Sequence, residues 1–84
     1  MLTIPQAVCL SKIPATGPEL RDLLISHELI TPGNHYAFLD RLVTNGLIKR
    51  KVVTNGVRIN HYSLTPQGEK ELAHAVKLCK LILS

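Results

Sequence analysis

The stretch Thr31–Leu64, TPGNHYAFLDRLVTNGLIKRKVVTNGVRINHYSL, decides the fold of this chain. Its first part has the features of a helix. Thr31 can accept hydrogen bonds from free backbone N–H groups, and Pro32 suits the first helical position. Gly46 supplies the left-handed conformation in which many helices end. We therefore predict a helix over residues 31–45.

The second part of the stretch predicts a β-hairpin over residues 47–64. Its two β-branched runs are joined through Asn55 and Gly56, a dipeptide that favours tight hairpin turns. Every charged residue between Arg41 and His61 is lysine or arginine, and the formal net charge of +4 is concentrated there. Such a run often only keeps a strand solvated, but directly after an amphipathic helix it favours contact with a nucleic-acid backbone.

The predicted helix has two unlike sides. At about 100° per residue, Leu39 and His35 fall on the buried side, and we expect His35 to be a hydrogen-bonded core histidine. Two alternatives stay open on the other side: Asn34 reads an adenine edge or caps the helix, and Arg41 binds a phosphate or pairs with Asp22. That side carries small or polar residues, namely Gly33, Asn34, Ala37, Arg41 and Thr44.

Three further helices are predicted outside this stretch. Two capping boxes with proline in the first turn predict helices over residues 3–12 and 17–28. A threonine followed by a proline opens the last helix, predicted over residues 66–83. The second helix ends close enough to the third for a helix-turn-helix.

Length and composition fit one domain, residues 1–84. Apolar residues make up 45% of the chain and aromatic residues only 4%, so leucine, isoleucine and valine must build the core. We predict an α+β fold of three helices, a two-stranded hairpin and a C-terminal helix, and a short third strand near Ile13 is an open alternative. Because the sequence has no secretion signal and no apolar run of membrane-spanning length, we expect a soluble intracellular protein.

No pattern in the sequence predicts catalysis, a metal site or a cofactor. The chain has no Cys-x-x-Cys, no His-Glu-x-x-His, no carboxylate cluster and no glycine-rich phosphate loop. Cys9 and Cys79 lie in helical apolar patterns, and we expect two buried free thiols. A redox-sensitive pair between them is an open alternative.

The last helix has more apolar surface than one small domain is expected to cover. Such an excess favours a partner, and a two-fold DNA target would match a homodimer. A frayed end with exposed leucines and a helix lying on a membrane surface are the alternatives. The residues predicted at the dimer contact are Leu72, Val76, Leu78, Cys79, Leu81 and Ile82.

Three segments carry a resemblance to a known family: LVTNGLIKR at residues 42–50, NGVR at 55–58 and LTPQG at 64–68. They resemble the winged helix-turn-helix regulators of the MarR and PadR type. The resemblance covers about residues 16–72. It implies that the third helix is a recognition helix and that the hairpin is a wing.

The resemblance implies a transcriptional regulator that binds double-stranded DNA in a sequence-specific way. The third helix would enter the major groove, and the basic wing would lie on the backbone or in the minor groove, with Arg58 at the wing tip. The predicted DNA-binding residues are Thr31, Gly33, Asn34, Tyr36, Ala37, Arg41, Lys49, Arg50, Lys51, Asn55 and Arg58.

The sequence departs from the MarR pattern in two respects. The wing lacks the acidic residue that such wings carry beside arginine, and the chain is shorter than MarR regulators. We therefore expect no small-molecule ligand, and a compact bacterial or phage-encoded regulator in the cytoplasm. The alternative function is a winged-helix interaction module in a larger assembly, whose basic surface meets an acidic protein.

Overall fold

The computed structural model describes residues 2–83. Within that range four helices accompany a three-stranded antiparallel sheet, so the predicted α+β fold class is confirmed. None of these helices is both long and apolar enough to cross a lipid bilayer. The elements in chain order are α1 (Ile4–Ser11), β1 (Ala15–Thr16), α2 (Gly17–Ser26), α3 (His35–Thr44), β2 (Ile48–Asn55), β3 (Val57–Leu64) and α4 (Pro66–Leu83).

Threonine caps begin the first two helices, as the capping boxes predict. Thr3 accepts a hydrogen bond from the Gln6 backbone N–H at 3.3 Å and donates its own N–H to the Gln6 side chain at 2.9 Å. Thr16 accepts from the Glu19 N–H at 3.3 Å. The second helix ends at Ser26 rather than at residue 28, because Glu28 has a positive φ of 57° that no helix accommodates.

The predicted start of the third helix at Thr31 is wrong, because α3 begins at His35. Pro32 and Gly33 instead occupy the centre of a β-turn, which the Asn34 N–H closes by donating to the Thr31 carbonyl at 3.1 Å. Gly33 has φ +92°, as the third position of a type II turn requires. The Asn34 side-chain amide also donates to Thr31 Oγ1 at 2.5 Å, so two hydrogen bonds stabilise the turn.

The wing is a regular hairpin that lies within the predicted range of residues 47–64. Its ladder runs without a break from the pair Ile48 and Leu64 to the pair Asn55 and Val57. Gly56, with φ +79°, makes the turn. A tight turn of this kind fixes the register, because every later pair follows from the first one.

The short third strand that the sequence left open is β1, just after Ile13. It pairs with β3, with Ala15 opposite Tyr62 and Thr16 opposite His61, so β3 is the central strand and β2 is an edge strand. This pairing ties the base of the wing to the start of α2.

One face of the sheet and the helices enclose a core built mainly of leucine. His35 is half-buried at the start of α3. Its Nδ1 atom is buried and has no hydrogen-bond partner within residues 2–83, so the expectation of a hydrogen-bonded histidine is wrong. The buried core residues are Cys9, Leu10, Ile13, Leu20, Leu24, Leu39, Leu42, Leu47, Ile48 and Tyr62.

The start of α4 is seated on the junction between α3 and the wing. Thr65 donates its N–H to the Leu47 carbonyl at 3.1 Å and its hydroxyl to the Gly46 carbonyl at 2.5 Å, and it caps α4 by accepting from the Gly68 N–H at 3.0 Å. A Cβ atom on Gly68 would overlap the Leu47 carbonyl oxygen. Only glycine permits this close approach, so residue 68 fixes how α4 leaves the body.

Candidate nucleic-acid interface

The exposed side of α3 carries mostly polar residues, and the rest of the described chain does not cover it. Ala37, Arg41 and Thr44 lie on it, as predicted, and Tyr36 joins them with 64% of its surface exposed. The helical repeat places Asp40 between Tyr36 and Thr44 on the same side. Sequence reasoning overlooked this carboxylate, although the repeat that placed its neighbours also places it.

The turn before α3 extends this surface. Thr31, Gly33 and Asn34 are exposed, and the turn and α3 line a shallow groove with Ala37 and Arg41 in its wall. The Asn34 side chain makes no capping hydrogen bond to α3, so the capping alternative is wrong. Gly33 and Asn34 therefore reach this surface from a turn, not from a helix.

Arg41 is an exposed cation on this side of α3. The predicted alternative, an ion pair with Asp22, does not form; Asp22 instead accepts a hydrogen bond from Arg21 Nε at 3.1 Å. Within residues 2–83 no carboxylate lies in ion-pair range of Arg41. The guanidinium is therefore available to an external anion.

Arg50 differs from the other cations of the wing, because the fold already neutralises it. Its Nη2 atom donates to an Asp40 carboxylate oxygen, and its Nε atom donates to the Tyr62 hydroxyl at 3.2 Å. The guanidinium carbon also lies 5.6 Å from the centre of the Tyr62 ring. The hydrogen bond to Asp40, more than that to Tyr62, raises the pKa of Arg50 above its usual value.

Strand register divides the cations of the wing between two faces. Arg50 lies opposite Tyr62, and Arg58 lies opposite Thr54, so both arginines are on the inner face, which continues the core side of the sheet. Lys49 and Lys51 alternate with Arg50 and lie on the outer face. The cations of the wing therefore do not share a single surface.

Within residues 2–83, Arg58 is the inner-face cation of the wing that has no ion-pair partner. Strand rise places it about 13 Å along the wing from Arg50, at the exposed tip. The inner face is also the side on which α3 packs, because Asp40 of α3 contacts Arg50 there. The unpaired arginines of the helix and of the wing tip are thus presented from the same side of the sheet.

Comparison with known proteins identifies the family of this chain. The profile of the transcriptional regulator PadR-like family matches residues 8–74. The chain belongs to the PadR-like family of transcriptional regulators. No curated protein matches it in sequence.

Solved structures of two PadR-like proteins share the fold of this chain. A PadR-like transcriptional regulator from Bacillus cereus superposes with a TM-score of 0.77 at 20% identity, over 92% of this chain and 82% of that one. A PadR-like transcription factor from Bacteroides fragilis gives a TM-score of 0.73 at 25% identity, over 94% and 82%. The shared fold covers more than nine-tenths of this chain.

The α4 helix of this PadR-like regulator packs on α1 and leaves apolar side chains uncovered. Leu72 and Leu78 are partly buried, whereas Val76 is 43% exposed. Leu81 and Ile82 are 67% and 82% exposed. The apolar groove between α1 and α4 is lined by Ala7, Val8, Ser11, Leu72, Ala75, Val76, Cys79, Lys80 and Leu83.

The two cysteines lie in unlike environments. Cys9 is fully buried, and burial raises the pKa of its thiol to about 12. Cys79 is exposed in the groove, so the expectation of two buried thiols is wrong for this residue. No group of three or more metal-ligating side chains lies together within residues 2–83.

Proposed function

We propose that this PadR-like regulator binds duplex DNA in a sequence-specific way, with the exposed side of α3 in the major groove and the wing along the adjacent backbone or minor groove. One observation carries the proposal: the polar side of α3 is uncovered, and it holds an unpaired arginine, Arg41. A helix of this kind fits the major groove of B-DNA.

Each surface residue has a distinct proposed role. Ala37 lets the α3 backbone approach the base edges, and Asn34 and Tyr36 flank it at the start of the helix. Arg41 and Arg58 bind phosphates. Thr31 and Gly33 support the turn beside the groove.

The outer face of the wing contributes to DNA binding mainly through its positive electrostatic potential. Lys49 and Lys51 point away from α3, and both are exposed, with Asn55 near the tip. Exposed cations within a Debye length attract a polyanion without needing a fixed contact. We assign Arg50 to the fold rather than to a phosphate, since Asp40 already neutralises it.

The proposal is tested by selecting bound fragments from random duplex DNA and measuring their affinity over a range of salt concentrations. Replacing Arg41 and Arg58 by alanine is expected to weaken binding to all duplexes and to reduce the salt slope by about 2, since each phosphate contact contributes about 0.9. The matched control replaces Lys70 and Lys77 of α4, which removes the same charge from another surface.

Two results would count against DNA binding at this surface. An arginine variant that keeps the parental salt slope, or a lysine variant that loses as much affinity, would move the contact elsewhere. Absence of any DNA retardation by the parent at micromolar concentration and low salt would favour the interaction-module alternative.

We also propose that the regulator works as a homodimer whose contact is formed by α4. The exposed apolar side chains at its C-terminal end and the apolar groove beside α1 support this proposal, because a second α4 would cover both. The protein is proposed to act in the cytoplasm without a small-molecule effector.

The thiols provide a test of the dimer that needs no substitution. Reaction of Cys79 with a thiol reagent is expected to slow as protein concentration rises, because association covers the groove. Cys9, already buried within the protomer, is the internal control and stays unreactive throughout. A Cys79 rate independent of concentration, with a monomer in sedimentation, would contradict the dimer.

A further inference from the structure

Three side chains connect the exposed side of α3 to the wing. Asp40 on the helix accepts a hydrogen bond from Arg50 on β2, and Arg50 in turn donates to the hydroxyl of Tyr62 on β3. Tyr62 is only 3% exposed, so its ring is fixed by the core and cannot follow a moving arginine. The chain of contacts therefore runs from the protein interior to the surface of α3. We call these three residues the clasp.

The clasp lies where the wing leaves the body. On β2, Ile48 is buried, and every later residue up to Asn55 is exposed. Arg50 is the outermost β2 residue whose side chain is hydrogen-bonded to another element within residues 2–83. From there to the turn the hairpin extends about 17 Å, so a rotation of about 10° at this point would displace the tip by about 3 Å.

The charge of Asp40 also needs an explanation. It is the one carboxylate on the exposed side of α3 within the described chain, and in the proposed complex it would face phosphates. An unpaired carboxylate there would repel the duplex. Asp40 and Arg50 together carry no net charge, so Asp40 can hold Arg50 in position with little repulsion of the duplex.

We propose that the clasp holds the wing at a fixed angle to α3, which makes Asp40 and Tyr62 positioning residues for sequence-specific DNA recognition. This inference rests on the proposed function. Sequence-specific binding needs the helix and the wing tip in place at the same time, whereas non-specific binding needs only positive charge. Loss of the clasp is therefore expected to weaken sequence-specific binding without weakening non-specific binding.

The substitution Asp40→Asn tests this, because it removes the charge but keeps the shape. Binding to mixed genomic duplex is expected to rise, since the protein gains a net positive charge and Arg50 is released. The ratio of affinity for a selected duplex to affinity for the mixed duplex is expected to fall by about threefold or more, the upper part of the range for an exposed ion pair.

Three further variants separate positioning from charge. Asp22→Asn removes the same charge from the pair with Arg21 on α2, and it is expected to leave the ratio unchanged. Asp40→Glu keeps a carboxylate within reach of Arg50 and is expected to restore the parental ratio. Tyr62→Phe removes only the hydroxyl that Arg50 bonds, without a change of charge, and is expected to lower the ratio.

A measurement without DNA tests the clasp independently of the proposed function. Backbone order parameters of residues 51–59 in the free protein are expected to fall in Asp40→Asn and to return in Asp40→Glu, while those of α4 stay unchanged. Undiminished wing order in Asp40→Asn would overturn the clasp even if the parent binds DNA. If the parent binds no DNA but the wing loosens as expected, the proposed function fails and the mechanical role of the clasp stands.

Discussion

The close contact between Gly68 and the Leu47 carbonyl leads us to predict that Gly68→Ala destabilises the protein. On an exposed helix this change would stabilise the protein by about 1 kcal/mol, because alanine is the better helix former. Here the added methyl group would overlap a backbone oxygen, which no change of rotamer can relieve. The first turn of α4 must therefore move away from the junction.

That movement has a cost that the structure allows us to work out. It would break the two hydrogen bonds of Thr65 to the Leu47 and Gly46 carbonyls, each contributing about 0.5–1.5 kcal/mol. Overpacking adds about 1–3 kcal/mol. After the gain in helix propensity, we expect a net loss of about 3 kcal/mol, which for a domain of this size lowers Tm by about 12–24 °C.

Urea unfolding followed by circular dichroism, at one fixed protein concentration, measures this loss. Gln67→Ala is the matched control, because Gln67 is the preceding residue of the same helix and is exposed; its change is expected to stay within about 0.5 kcal/mol. A Gly68→Ala variant as stable as the parent would show that α4 does not depend on this close approach.

Two further predictions concern backbone strain and pH. Gly33→Ala is expected to cost about 1–2 kcal/mol through its positive φ alone, since no atom lies within 4 Å of the added carbon, and Gly33→Asn should cost less; equal costs in urea unfolding would contradict this. Burial raises the folded-state pKa of Cys9 to about 12, so the contribution of the buried thiol to the free energy of unfolding is fully present at pH values below the unfolded-state pKa. It is lost at about 1.4 kcal/mol per unit as pH rises from about 8.5 towards 12. The stability of Cys9→Ala should decline less steeply with rising pH than that of the parent, and curves of equal slope would refute this prediction.

Local chemistry predicted the wing and α4 well, because each is decided by residues adjacent in sequence. Asn55 and Gly56 can form only a few turns, and strands on either side must then pair in register. Thr65 and Pro66 fit a helix start, and the residue after Pro66 is Gln67 rather than a glycine that would favour a type II turn. In both cases the local preference agrees with what packing requires.

The start of α3 was mispredicted because its residues suit two structures. Thr31 followed by Pro32 fits a helix cap, but Pro32 followed by Gly33 fits the centre of a type II turn equally well. The positive φ of Gly33 shows that the chain adopts the turn here. The proline–glycine pair was a usable signal that the helix prediction left out.

The arrangement of charges was only partly predictable. The period of two along a strand already separates Arg50 from Lys49 and Lys51, so the division of the wing into two faces follows from the sequence. The contact between Asp40 and Arg50 does not, because it depends on how α3 packs against β2. Tertiary packing thus decides which cations remain free.

The seat of α4 on the Leu47 carbonyl has a consequence for the DNA target. This helix of 18 residues leaves the body in a direction that Gly68 fixes. In the proposed dimer, that direction sets the distance between the two recognition helices, and so the number of base pairs separating the operator half-sites. Substitutions in α3 would then change which bases are chosen, while the spacing between half-sites would stay constant until the seat of α4 is altered.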